Sequence, residues 1–119
     1  MAAEAPALRA VNLAGKWARV AQGHVALSGM ACACGLGFVA IGVADFEQHL
    51  LDYLYTKHRA TPKMEALFAG AGYAEGTRGS VTQLLRALAA APPPSAEALL
   101  DDVERSIDSF ETVHAPRPA

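Results

Sequence analysis

The feature that most limits the folds open to this chain is a stretch of twenty residues, 25–44, that carries no charged side chain. Patterns typical of amphipathic helices precede and follow it. As one continuous helix the stretch would be about 30 Å long, which is the thickness of the hydrocarbon core of a bilayer. It is therefore either a segment that the rest of the protein buries or a membrane span.

Charge and local signals favour burial over a span. Arg9, Lys16 and Arg19 precede the stretch and acidic residues follow it, an asymmetry that would place the N-terminus of a spanning protein in the cytoplasm. However, four of the twenty residues are glycine, and Asp45 to Gln48 resembles a capping box, which predicts that a helix begins at Asp45. We therefore favour a cytoplasmic protein, with a single span over 25–44 as the alternative.

Apolar residues recur at steps of three and four on both sides of this stretch, as on one face of a helix. The first helix is predicted from about Ala7 to Ser28, with Trp17 in the core and Gly29 as its stop. The second is predicted from Asp45 to about His58. Between them we expect a buried or half-buried Gly/Cys-rich loop over 32–37 and an extended apolar stretch over 38–43.

Capping residues predict three further helices. Thr61-Pro62 begins the third, and glycines end it. Ser80 and Gln83 form a capping box for the fourth, which three consecutive prolines stop. The fifth is predicted from Ser95 to about His114.

Two regions are predicted to face solvent. Tyr73–Gly79 has no apolar period and is interpreted as a surface loop. The outer face of the fifth helix is interpreted as an acidic solvated surface, with docking of a basic partner as the alternative. It carries Glu97, Asp101, Asp102, Glu104, Asp108 and Glu111, with Arg105 as its single cation.

The chain is therefore predicted to be an all-α single domain over 1–119, a small bundle of about five helices with tails at 1–6 and 115–119. Its 26 alanines account for much of its apolar content, and its net charge is −2. A chain without a basic excess is a poor partner for nucleic acid. Two cysteines exclude a disulfide-dense scaffold and a four-cysteine metal site within one chain.

The cysteines suggest the most specific function. One residue separates Cys32 from Cys34, and histidines at 24 and 49 lie on the two flanking predicted helices. Two thiolates and two imidazoles form a donor set that suits Zn²⁺ and would also accept Fe or Cu(I). We therefore predict one transition-metal site made of His24, Cys32, Cys34 and His49. Asp45 or Asp52 would orient His49 or replace one ligand.

Other interpretations of the same residues stay open. The two cysteines could be buried small apolar side chains, or a redox dithiol. Without a metal, the chain would be an interaction protein, either a homo-oligomer or a subunit of a partner complex, that uses the apolar segment and the acidic helix. No nucleotide-binding or nucleophile motif is present, so no catalytic residue is assigned.

Overall fold

The computed structural model describes the backbone of residues 5–33, 38–74 and 79–114, and the side chains of 5–23, 42–74 and 79–111. Within these ranges the chain is all-α and has five helices. Their bounds are α1 Pro6–Ala33, α2 Phe38–His58, α3 Pro62–Gly70, α4 Val81–Ala90 and α5 Ala96–His114. The predicted fold class is therefore confirmed, whereas residues 34–37 of the predicted Gly/Cys-rich loop lie outside the described residues.

Two boundaries predicted for the first two helices are wrong. α1 continues through Gly29 to Ala33, because the loss of about 1 kcal/mol for a helical glycine does not by itself end a helix. α2 begins at Phe38, so Asp45 lies seven residues inside it and caps nothing. The predicted extended stretch is helical instead, since Val43 continues the apolar stripe of α2 upstream and packs against the core.

The predicted starts of α3 and α4 are confirmed in atomic detail. The hydroxyl of Thr61 accepts a hydrogen bond from the Met64 amide at 3.2 Å, and Pro62 follows at the first helical position. The hydroxyl of Ser80 accepts one from the Gln83 amide at 3.3 Å. Each side chain satisfies an amide that has no partner within its own helix.

A surface loop is predicted over Tyr73–Gly79, of which residues 75–78 lie outside the described residues. The end of α3 explains why the Tyr73 side chain is buried. Gly72 adopts a left-handed backbone with φ of +79°. This turn lets the amide of Tyr73 donate a hydrogen bond to the carbonyl of Phe68 at 3.0 Å. The amide of Gly72 donates to the carbonyl of Ala69 at 3.0 Å, and the two bonds together form a Schellman motif. The Tyr73 side chain is consequently turned inward and is only 5% exposed.

Among the described side chains, the core has two aromatic groups. Trp17 of α1 contacts Phe46 of α2 and Phe110 of α5, with ring centroids 4.9 and 5.4 Å apart. Tyr55, Phe68 and Tyr73 form the second group nearer to α3. Leucines from α2, α4 and α5 fill the space around them. Trp17 is 1% exposed, which confirms its predicted place in the core.

The relative register of the helices determines where the charge-free stretch lies. α1 and α5 run parallel, because Arg9 contacts Asp101 and Lys16 contacts Asp108. The same offset places the last residue of α5 beside about residue 22 of α1. α4 begins near Trp17 and runs toward α3, since the Glu47 carboxylate contacts both Trp17 and Val81. The last ten residues of α1 therefore extend about 15 Å beyond the described ends of α4 and α5.

Candidate functional site

The charge-free end of the α1–α2 hairpin, residues 24–44, is the first candidate site, and we call it the hairpin end. In the part of the chain that the structure describes, only α1 and α2 reach this level of the bundle. The hairpin end contains the whole of the stretch without charged residues. No helix among the described residues is both long enough and apolar enough to cross a membrane. The stretch proposed as a single span is instead divided between two helices.

Most of the predicted metal ligands lie where the structure gives no side-chain placement. The side chains of His24 and Cys32 lie outside the described residues, as does Cys34 entirely. The backbone of α1 is helical through residues 24 and 32, so their Cα atoms are about 12 Å apart along the helix axis. Among the described residues no three histidine, cysteine or acidic side chains form a group that could hold a metal ion. The four-ligand site stays a prediction.

Three residues considered for the metal site have described side chains, and these differ in exposure and hydrogen bonding. His49 and Asp45 are exposed on α2, one helical turn apart. Asp52 is engaged within the bundle, because its carboxylate accepts a hydrogen bond from the Tyr73 hydroxyl at 2.5 Å and another from Gln48 at 3.1 Å. Asp52 thus joins α2 to the loop after α3.

Glu47 has a structural role that the spacing of the sequence did not reveal. One of its oxygens accepts hydrogen bonds from the Trp17 indole at 3.2 Å and from the Val81 amide at 3.0 Å. A carboxylate at the first amide of a helix is favoured by the helix dipole. Glu47 therefore links α1, α2 and the start of α4 directly below the hairpin end.

The second candidate site is centred on Asp102. The sequence predicts that Asp102 lies on the acidic outer face of the fifth helix, and this prediction is wrong. Its side chain is 3% exposed. The His58 ring nitrogen Nε2 lies 2.7 Å from Asp102 Oδ2, and Lys57 Nζ lies 3.1 Å from the same oxygen. Arg105, one turn further along α5, contacts the other oxygen. We call these four residues the Asp102 cluster.

Electrostatics explain why this carboxylate remains charged. Burial raises the pKa of Asp102, but hydrogen bonds from His58 and Lys57 outweigh that effect, so the pKa lies below its ordinary value. Hydrogen bonds to Tyr53 and Asp102 raise the pKa of Lys57. A carboxylate that is both buried and paired is stable only with its partners in place. Sequence periodicity could not reveal this cluster, because two of its members come from another helix.

The other acidic residues of α5 are largely engaged with α1. The guanidinium of Arg9 lies 2.6 Å from Asp101 and 3.6 Å from Glu104, and Lys16 contacts Asp108. The described part of α5 therefore does not present these carboxylates as a free acidic surface. The docking of a basic partner on α5 stays a prediction.

Comparison with known proteins adds no relative. Scans against protein-family models, curated protein sequences and solved structures each find no match for this chain.

Proposed function

We propose that this chain is an interaction protein that self-associates through the hairpin end. The observation that carries the proposal is the helix register, because α1 extends about 15 Å beyond the described end of α5. A two-helix hairpin whose residues lack charge cannot bury all of its apolar surface between its own two helices. A further surface is needed to cover it.

A second copy of the same chain is the occupant that fits best. Two hairpins packed face to face form a four-helix arrangement, in which each supplies the layer that the other lacks. A twofold dimer needs only one self-complementary surface, and a segment without charge imposes no like-charge repulsion when it meets itself. The acidic helix is not part of the proposal, since Arg9 and Lys16 engage its carboxylates.

The test is the mass of the protein in solution. We expect sedimentation equilibrium to give the wild-type chain twice the mass of one chain, and Leu27→Glu or Ile41→Glu to give a single-chain mass with retained helicity. Gln22→Glu is the matched control, because Gln22 is exposed on the same helix just below the hairpin end. A wild-type protein that is monomeric at 100 µM would contradict the proposal. So would wild-type protein that floats with phosphatidylcholine vesicles while remaining monomeric without them.

Metal binding is the second proposed function, and the position of the cysteines supports it. Cys32 is in the last turn of α1 and Cys34 follows the helix, so both belong to the hairpin end. The helical backbone between His24 and Cys32 favours a set without His24, because about 12 Å of helix separates them. In a dimer, the cysteine pairs of two copies would together supply four thiolates, a complete set for Zn²⁺. The alternative is the set predicted from the sequence, in which one chain supplies His24, Cys32, Cys34 and His49 to a Zn, Fe or Cu ion.

Metal analysis distinguishes these ligand sets. Protein purified without an affinity tag should contain half an ion per chain if two copies share it, and one ion per chain if all ligands come from one chain. Cys32→Ser with Cys34→Ser should abolish binding in both cases, whereas His49→Ala should weaken it only in the second. A metal-free wild-type protein whose melting temperature is unchanged by chelator would contradict metal binding and leave the dimer proposal to its own test.

We further propose that the protein is cytoplasmic. The sequence has two cysteines, which are too few for the disulfide framework that stabilises small secreted domains.

A further inference from the structure

A groove between α2 and α5 is lined by residues that neither the hairpin end nor the metal proposal uses. Its volume is about 560 Å³. α2 contributes Phe46 and Tyr53 to it, and α5 contributes Ser106, Ser109 and Phe110. A smaller hollow of about 220 Å³, which includes His49, continues it along α2. Volumes of a few hundred cubic ångströms are typical of sites for small organic molecules.

The floor of the groove is aromatic. The rings of Phe46 and Phe110 lie 4.6 Å apart, and both contact Trp17, which is buried beneath them. Tyr53 forms one wall and is 46% exposed. The planes of Phe46 and Phe110 are tilted by 47° to each other, so a planar ligand can stack on one ring while its edge meets the other.

One end of the groove is cationic. Asp102 and Arg105 line this end of the groove. Lys57 and His58 contact Asp102 from α2. Lys57 and Arg105 together carry two positive charges against the single negative charge of Asp102. The Arg105 side chain is 73% exposed at the groove, so its guanidinium has donors directed away from Asp102. Asp101, Glu104 and Asp108 of the same helix contact Arg9 and Lys16 of α1 instead.

We propose that this groove binds a small aromatic carboxylate. The ring system of the ligand lies against Phe46 and Phe110, which excludes water from its apolar faces. Its carboxylate accepts hydrogen bonds from the Arg105 guanidinium and from a serine hydroxyl at position 106 or 109. Arginine suits this role because its planar guanidinium can donate two parallel hydrogen bonds to a carboxylate. The buried Asp102 holds Arg105 at the mouth of the groove.

The test is calorimetric titration with 2-naphthoate, and with 2-naphthalenemethanol as a neutral analogue of the same shape. We expect the wild-type protein to bind 2-naphthoate at least fivefold more tightly than the alcohol. Arg105→Gln should remove that preference. Ser109→Trp, at an exposed position on the rim, should block both ligands by filling the groove. Arg86→Gln is the control, since Arg86 is exposed in a different groove, between α1 and α4.

Several results would overturn the proposal. These are equal affinity for the acid and the alcohol, unchanged binding to Arg105→Gln or Ser109→Trp, and absence of binding at millimolar 2-naphthoate. Amide chemical-shift changes caused by 2-naphthoate should map to residues 46–53 and 105–110; changes confined to residues 24–44 would also contradict it. Thermal melting monitored by circular dichroism verifies that each variant is folded.

Discussion

The two ends of the α1–α2 hairpin differ in how they are covered. The end opposite the hairpin end, which we call the lower end, consists of α1 before residue 24 and α2 after residue 44. There α3, α4 and α5 pack against the hairpin, and charged residues along α5 pair with partners on α1 and α2. At the hairpin end the sequence has no charge, and no described third helix reaches that level. The lower end specifies the fold through paired charges and packed rings. The hairpin end has no charged residue between 25 and 44 that could form such pairs, and we infer that it serves for contact with another surface.

The largest expected difference between the two ends concerns an aromatic side chain. Trp17→Ala removes a ring that is 1% exposed and contacts two others, and we expect a loss of about 4 kcal/mol in the free energy of unfolding, because deletion of a core aromatic leaves a cavity. Phe38→Ala at the hairpin end should cost less and instead weaken self-association. Urea unfolding and sedimentation measure the two effects. Equal loss of stability in both variants would show that the hairpin end belongs to the core.

The next effect concerns the Asp102 cluster. Asp102→Asn keeps the shape but removes the negative charge beneath Lys57, His58 and Arg105, and we expect a loss of about 2 kcal/mol. Asp101→Asn is the control. Asp101 is 61% exposed in its pair with Arg9, so that change should cost under about 1 kcal/mol. Urea unfolding at pH 7 compares them, and equal losses would contradict the structural role of Asp102.

A related and smaller effect is the pH dependence of stability. Because the folded-state pKa of Asp102 is lowered, its contribution is fully present above the unfolded-state pKa of about 3.9 and is lost as the pH falls through the folded-state pKa. The wild-type protein should therefore lose more stability than Asp102→Asn between pH 5 and pH 2. The free energy of unfolding in urea, measured against pH for both proteins, tests this. Parallel pH profiles would show that Asp102 does not cause the loss of stability in acid.

The smallest effect tests the turn that directs Tyr73 into the core. Gly72→Ala places a side chain on a left-handed backbone and should cost about 1 kcal/mol. Gly70→Ala is the matched control, because Gly70 is helical and its added Cβ meets no atom within 4 Å. That substitution should be neutral or slightly stabilising. Thermal melting distinguishes the pair, and an unchanged melting temperature for Gly72→Ala would contradict the Schellman motif.

Much of the fold could be predicted from the sequence where a local signal determines the structure. Thr61 and Ser80 have capping partners three residues away, and both predictions are confirmed. The same kind of signal at Asp45 was misleading, because an apolar stripe continues upstream through Val43 and extends the helix. A capping sequence inside an exposed helix face has no effect when packing favours a longer helix.

The candidate sites were harder to predict because they depend on contacts between helices. Asp102 has the spacing of an outer-face residue on α5, and only the approach of Lys57 and His58 from α2 explains its burial. The same holds for Tyr73, whose hydroxyl donates to Asp52, twenty-one residues earlier in the chain. The charge-free stretch is visible in the sequence alone. Its position beyond the end of α5 required the register that Arg9 and Lys16 establish.

Hydrogen exchange at two protein concentrations tests the central claim, that the hairpin end is a contact surface, most directly. The account predicts that amides of residues 24–44 become more protected as the concentration rises from 1 to 200 µM, while the amides of α5 below residue 111 do not change. Protection of 24–44 that is equal at both concentrations and as high as that of α5 would contradict it. In that case the lower bundle would already cover the hairpin end within one chain.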